Sequence, residues 1–373
     1  MKVFYRYLYQ EILVTALATT AVLTLFLLVA NVFKDVFALL LNREVSLIVI
    51  GKLVFLLVPF ILTFTLPWGL LLAVLLVFGR LSRDQELTSL KSSGIGLAPI
   101  IAPVLMLAFA FSLLSFWINA SLGPRSREAF KQEFAELLRS DPLSFFTTGR
   151  VIDEFDGFRL YVGDRQGAEF RDLHIWQIDG DGHPLRSIRA DYAQIVPDMP
   201  NERIVLNLSN ARQDEHDPAD PANVHKVTSG TRAAQLPLEI SLAPFFAKVQ
   251  TEKKSVGILT LSEIRRQIFD PFQIMRTPNM TPLLTELQKR ISLSLASFTF
   301  VLVGIPLAIQ AQRRETSVGL ALSLGIVVSY YLVIIVAEAL KARTHLLPEV
   351  IIWMPNLIFE ALGFFLIIRA NRR

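Results

Sequence analysis

Apolar positions along this chain gather into six long runs separated by one wide polar interval. The runs extend from about Ile12 to Phe33, Leu47 to Phe78, Leu97 to Leu122, Ile291 to Ile309, Val318 to Ala339 and Val350 to Ile368. A helix needs roughly 20 apolar residues to cross the hydrocarbon core, so each run is of spanning length. The pattern predicts three transmembrane helices, a polar insert of some 160 residues, and three more helices. The second run is too long for one straight crossing, and Pro59 and Pro67 predict a kink or a first part outside the core. Lys2 and Arg6 ahead of the first run resemble the start of a signal peptide. The small residues Ala16-Leu17-Ala18 lie near its beginning, not after it, so it reads as an uncleaved span.

Within the insert the period changes. From Gly123 to about Pro142 the pattern is an amphipathic helix with Phe130, Phe134, Leu137 and Leu138 on one face. Beyond it, residues 149–154, 158–162, 169–178, 185–196, 203–213 and 231–242 alternate as strands, with turn signals such as Gly163-Asp164 and Pro197-Asp198 between them. Strands at this spacing suggest a sandwich or jelly roll over about 149–245. Thr260 and Glu263 form a capping box ahead of Ile264 and Ile268, and Pro271 to Pro282 reads as a linker along the bilayer surface. The expected organisation is 1–122 for the first three spans, 123–283 for the inserted domain and 284–373 for the last three.

Composition agrees. Hydrophobic residues make up 52% and charged residues 19%, whereas a soluble chain carries about 25% charged residues. A soluble protein and a disordered one are both excluded. The absence of cysteine rules out a disulfide framework, a thiolate nucleophile, an iron–sulfur cluster and a cysteine zinc site. With the N-terminus inside, inner segments carry Lys2, Arg6, Arg80, Arg83, Lys91, Arg313, Arg314, Arg369, Arg372 and Arg373. The short outer loops carry only Lys34, Arg43, Lys341 and Arg343. Both termini are therefore expected in the cytoplasm and the insert in the periplasm of a Gram-negative cell.

Catalytic motifs are missing. No histidine is followed by the glutamate and second histidine of a zinc protease, no Gly-x-Ser-x-Gly elbow occurs, and Gly51-Lys52 lacks the rest of a Walker A loop. Asp179-Gly180-Asp181-Gly182 begins like a calcium loop without its later ligands and reads as a hairpin turn. His216 with Asp214, Glu215, Asp217 and Asp220 could hold a metal, but Pro218 and Pro221 favour a solvated loop. No catalytic residue, metal, cofactor or nucleic-acid partner is expected. Glu338 lies near the outer end of the fifth span and Glu360 near the middle of the sixth. Ionisable groups in hydrocarbon are costly and often functional. Glu360 pairs with a neighbouring polar group, is protonated or faces a cavity, and the sequence leaves it unexplained.

The loop between the second and third runs, residues 79–94, is charged and helical in pattern. Ser82 and Gln85 are placed for a capping box, Leu87 and Leu90 share a face, and Gly94 can end the helix. One reading is an ordinary loop helix with snorkelling basic residues. The other is a docking helix whose acid meets a partner's basic groove.

Gly79-Arg80-Leu81-Ser82-Arg83, Glu86-Leu87 and Ser93-Gly94 resemble the cytoplasmic coupling-helix segment of the lipopolysaccharide-export permeases LptF and LptG, the YjgP/YjgQ family. Glu286-Leu287-Gln288-Lys289-Arg290, Gly304-Ile305-Pro306-Leu307 and Tyr5-Arg6-Tyr7-Leu8 are similar to the family pattern too. The layout matches over the whole chain, with a lean towards the LptF type. The resemblance implies an α-helical inner-membrane protein with six transmembrane helices and an inserted all-β, jellyroll-like periplasmic domain. It implies a non-catalytic permease subunit of an ABC-type transporter in outer-membrane biogenesis. Its partners would be a sister permease, two copies of a cytoplasmic ABC ATPase that hydrolyse the ATP, and a periplasmic jellyroll bridge. Its cargo would be lipopolysaccharide, drawn from the inner membrane and passed over the β domain. Glu86 takes the place of the coupling acid, with Arg83 and Leu87 flanking it and Leu90 on the same face. The first and fifth spans correspond to the lateral gate.

Lys34, beside Asp35, together with Lys52, Lys289 and Arg290, is expected at the outer headgroup level. There these cations either meet a lipid's phosphates or act as snorkelling anchors. Two other function classes remain open at this point. One is a sensory or scaffold protein with a partner-binding β domain; the other is a membrane-embedded enzyme using Glu360.

Overall fold

The computed structural model describes residues 2–35, 46–140, 183–216, 227–243, 256–269, 280–310, 316–341 and 344–371, with most of 143–179. The Lys34 side chain, Arg43, the 180–182 turn, the 217–221 loop and the 271–279 linker lie outside the described residues.

Six helices are long and apolar enough to cross a membrane. They are α1 (Lys2–Asp35), α2 (Leu47–Arg83), α4 (Leu97–Trp117), α7 (Thr281–Gln310), α8 (Thr316–Ala339) and α10 (Met354–Asn371). Between α2 and α4 lies the short α3 (Glu86–Ser92), α6 (Leu261–Phe269) precedes α7, and α9 (Pro348–Ile351) leads into α10. A π-helical turn, Ile118–Leu122, joins α4 to the amphipathic α5 (Gly123–Ser140). α2 runs through both Pro59 and Pro67 for 37 residues, about 55 Å at helical rise. A core of about 30 Å cannot contain all of it.

The chain divides into two compact units, each described by itself. The first comprises Met1–Asn31, Val54–Ala129 and Lys254–Arg373. Its centre is α2 and α7, whose most apolar stretches are 72% and 78% buried, against 22% for α1 and 28% for the last helix. Leu70, Leu71, Phe78, Phe300, Val301 and Tyr330 fill the middle. α1 contributes a single stripe at four-residue spacing, Leu8, Ile12, Ala16, Thr20 and Thr24, and leaves Val14, Leu17, Val22 and Phe26 exposed. Small residues let helices approach where lipid supplies no hydrophobic drive. At Gly69 a Cβ would overlap Thr20, while the Thr19 hydroxyl donates to the Gly69 carbonyl at 2.8 Å. Gly363 plays the same part between α10 and α7, where a Cβ would lie 2.8 Å from the Leu302 carbonyl oxygen.

The second unit comprises Val32–Leu53 and Phe130–Lys253 and holds the sheet. Its strands are β1 (Val151–Ile152), β2 (Phe158–Gln166), β3 (Glu169–Ile178), β4 (Pro184–Asp198), β5 (Arg203–His216) and β6 (Val227–Ser241). All pairings are antiparallel, and each strand neighbours the next in sequence. In register, Leu160 faces Ile175, Ile175 faces Ile188, Leu206 faces Ile195 and Leu208 faces Leu236. Period-two alternation puts one face of these strands inward, where Phe146 and Phe155 close the core with Leu160, Phe170, Leu173 and Ile204. An all-β insert beside six membrane-length helices is the expected class. Its connectivity is an open meander, without the long return of a Greek key among the described strands. β6, with 15 residues, pairs only with β5 among the described residues.

Candidate functional site

The loop helix α3 is built differently from its local sequence signal. α2 does not stop at Phe78 but continues to Arg83, because Leu81 is buried in the same core as Phe78. Ser82 therefore lies inside the last turn of α2 and donates to the Ile309 carbonyl at 3.2 Å. The Ser82–Gln85 capping box does not form. Gln85 instead adopts a left-handed conformation (φ 59°) at the break between α2 and α3, with no side-chain cap. At the other end Gly94, at φ +80°, donates its N–H to the Lys91 carbonyl at 2.9 Å and ends the helix as expected.

Leu87 is buried beneath α3 and Leu90 packs against the same core. The Lys91 ammonium donates to the Ala370 carbonyl at 3.1 Å, in the last turn of α10, where cations are favoured by the helix dipole. Arg83 is exposed, 3.5 Å from Asp84. Glu86 opens α3, half-buried, and its carboxylate makes no hydrogen bond or ion pair among the described residues. Four residues singled out from sequence thus divide into two anchors, Leu87 and Leu90, and two charges left near the surface, Arg83 and Glu86.

A second cluster occupies the first turns of α7 and the end of α8. The Lys289 ammonium lies 2.7 Å from Glu286 Oε2 and 2.5 Å from Glu338 Oε1. Arg290 donates through Nε to Glu286 at 3.1 Å and through Nη2 to the Gly257 carbonyl at 3.2 Å. Lys341 completes the set, 3.2 Å from Glu338 and 3.6 Å from Glu286. Three cations and two carboxylates leave one net positive charge. The Glu286 and Arg290 side chains are both only 4% exposed, and such a pair persists only where geometry and added hydrogen bonds offset desolvation. Beside it is a small cavity of about 70 Å³ lined by Phe60, Asn119, Arg127, Gly257, Lys289 and Arg290. The Arg127 guanidinium sits 4.7 Å over the Phe60 ring, and Arg290 Nη1 is buried without a hydrogen-bond partner among the described residues. Lys52, the other cation expected at this level, is exposed and paired with Glu133 at 2.7 Å.

Glu360 has partners that the sequence did not disclose. It accepts a hydrogen bond from the Thr299 hydroxyl at 2.9 Å, and Asn356 Oδ1 lies 3.1 Å from the same hydroxyl. Tyr330 donates to Asn356 Oδ1 at 3.0 Å, and Asn356 Nδ2 donates to the Ser292 carbonyl and hydroxyl at 3.0 and 2.9 Å. One polar network therefore joins α7, α8 and α10 in the apolar core. A signal for it exists in the spacing: Ser292 and Thr299 lie seven apart on one helix, Asn356 and Glu360 four apart on another.

In the sheet, partial desolvation pushes the Asp172 carboxyl up. Hydrogen bonds from Arg189 and His174 outweigh it and hold the group below the usual aspartate range. Hydrogen bonds from Asn201 and Arg203 hold Asp198 low as well. Among the described residues no three acids or histidines are grouped to hold a metal.

The model of the family described as lipopolysaccharide export system permease LptF/LptG matches residues 6–369. Lipopolysaccharide export system permease protein LptF of Escherichia coli K12 is 24% identical over 375 aligned residues, which cover 97% of this chain and 93% of the relative. LptF of Shigella flexneri is similar to the same extent, 24% over 97% of the chain. With six spanning helices, an inserted antiparallel sheet and a match over nearly its full length, the chain belongs to the lipopolysaccharide export permease family LptF/LptG.

Proposed function

We propose that this chain is the LptF-type permease subunit of an inner-membrane ABC transporter that extracts lipopolysaccharide and delivers it to a periplasmic bridge. It performs no chemistry itself; a cytoplasmic ATPase, two copies per complex, supplies the energy, and a sister permease completes the membrane core. Both termini and α3 face the cytoplasm and the sheet faces the periplasm.

The observation that carries this reading is α3. Leu87, Leu90 and Lys91 fasten it to the membrane core, while Glu86 keeps a carboxylate without a hydrogen-bonding or ion-pairing partner among the described residues. An unpaired acid on a rigidly held surface helix suits a basic groove on a partner, with Arg83 beside it as the second contact. Leu87 and Leu90 set the height and angle of the helix. The net positive cluster at Lys289 and Arg290, with Arg127 across the cavity, suits phosphates at the outer headgroup level, and Lys34 and Lys52 are further candidates for phosphate contact. The edge of β6, unpaired among the described residues, offers backbone groups to a further strand, which is how a bridge protein would continue the sheet.

Affinity purification of the tagged chain from its host in mild detergent tests the reading. A second permease and an ABC ATPase in stoichiometric amounts are expected, with Glu86→Ala losing the ATPase and keeping the permease. A chain that purifies alone, or a Glu86→Ala complex that keeps its ATPase, overturns it and moves attention to a scaffold role.

A further inference from the structure

α3 is joined to α2 by two residues, and the joint is tight. The Asp84 N–H donates to the Arg80 carbonyl at 2.9 Å and the Gln85 N–H to the Ser82 carbonyl at 3.2 Å. A displacement of α3 is therefore delivered to the last turn of α2, which contains Arg80. From that turn Arg80 Nη2 donates to the Tyr7 hydroxyl at 2.5 Å and to the Glu11 carboxylate. Tyr7 and Glu11 lie one turn apart on α1 and share a face. Both hydrogens of one nitrogen are used, and the contact to Glu11 is charge-assisted.

α1 needs such a tie more than its neighbours do. Its apolar span is the least buried of the six within this chain. Its contact with α2 is a narrow stripe, closest where Thr20 meets Gly69. The other ties around α3 reach backbone carbonyls at helix ends, Ser82 to Ile309 and Lys91 to Ala370. Those two hold α7 and α10, which are already packed together.

We infer that Arg80 is a positioning residue of the transport cycle: through Tyr7 and Glu11 it makes α1 follow the docking helix, so that partner movement on α3 reaches the first span. This rests on the reading of α3 as the ATPase-binding element. Losing Arg80 leaves the docking surface in place and cuts the transmission.

The test uses the complete complex purified through the tagged chain and reconstituted in vesicles containing the host's lipopolysaccharide. ATP hydrolysis and ATP-driven lipid release are measured side by side. Arg80→Ala is expected to keep its ATPase and hydrolyse ATP within about twofold of the parent, while lipid released per ATP falls roughly tenfold, the scale of a broken coupling contact. The exchange Glu11→Arg with Arg80→Glu is expected to restore at least half of the release, and Arg80→Lys to be milder than Arg80→Ala. Unchanged lipid release per ATP in Arg80→Ala overturns the inference. So does loss of hydrolysis and release together with no rescue by the exchange, which would make Arg80 a folding residue. A parent complex without any ATPase refutes the docking reading itself, and this inference with it.

Discussion

Glu286→Gln isolates the energetics of the buried ion cluster. The substitution keeps the shape and removes one charge from a side chain that is 4% exposed and lies within 2.7 Å of Lys289, 3.1 Å of Arg290 and 3.6 Å of Lys341. The three cations are not affected equally. Lys289 and Lys341 keep Glu338, at 2.5 and 3.2 Å, whereas Arg290 loses its paired carboxylate and keeps the Gly257 carbonyl and the more distant charge of Glu263. Breaking a buried pair by removing one member costs about 3–5 kcal/mol, because the other charge stays buried. The loss should therefore fall in that range and should trace to Arg290. Glu338→Gln acts on a side chain that is 37% exposed, where the pair is worth about 1 kcal/mol or less. Thermal unfolding of the detergent-solubilised protein is the assay, with an expected drop on the order of 5–10 °C for Glu286→Gln. Adding Arg290→Met to Glu286→Gln should recover part of that drop, since the uncompensated charge is gone. A Glu286→Gln protein as stable as its parent, or a double variant less stable than the single one, would show that the Glu286–Arg290 pair does not carry this stability.

Other outcomes follow from the same geometry. Asn356→Leu removes the centre of the network that joins Ser292, Thr299 and Tyr330. It leaves buried hydroxyls unpaired, at a cost of about 1–3 kcal/mol, readable as a lower melting temperature that Tyr330→Phe lowers less. The chain has no cysteine, so Thr24→Cys with Thr65→Cys, whose hydroxyls are 2.8 Å apart, should oxidise to a single internal disulfide; failure to form it contradicts the α1–α2 contact. Asp172 and Asp198 are held low in the folded sheet, so their contribution is complete above the unfolded aspartate value of about 3.9. It is lost as pH falls from there through the folded values. Hydrogen exchange across β3–β5 should accelerate in that acid window once corrected for intrinsic rates, and less so in a protein carrying Asp172→Asn and Asp198→Asn.

What the sequence disclosed depended on how local the determinant was. Hydropathy alone located all six spanning helices, and alternation located all six strands, because burial of one face is written at every second residue. The Thr260–Glu263 capping box is also local, and it forms: the Thr260 N–H donates to Glu263 at 2.7 Å and the Thr260 hydroxyl lies 2.8 Å from it. The equally regular Ser82–Gln85 signal failed because burying Leu81 extends α2 by a turn and takes Ser82 inside the helix. Glu286, Lys289 and Arg290 carry their i, i+3 and i+4 pairing in the sequence. Their link to Glu338 and Lys341 requires α8 to lie beside α7, which spacing does not encode. The partners of Glu360 were hidden for the same reason, since they depend on the rotation of three helices about their own axes. The cations at Lys52, Lys289 and Arg290 were visible as charges, but the distant acids Glu133 and Glu338 that help to balance them were not.

The proposed permease role requires that lipid move only when an ATPase acts through α3. ATP-driven release of lipopolysaccharide from vesicles containing the purified complex tests it most directly, comparing the parent with Glu86→Ala. ATP-dependent release is expected with the parent and release at the ATP-free level with Glu86→Ala. Equal ATP-driven release from both would contradict it.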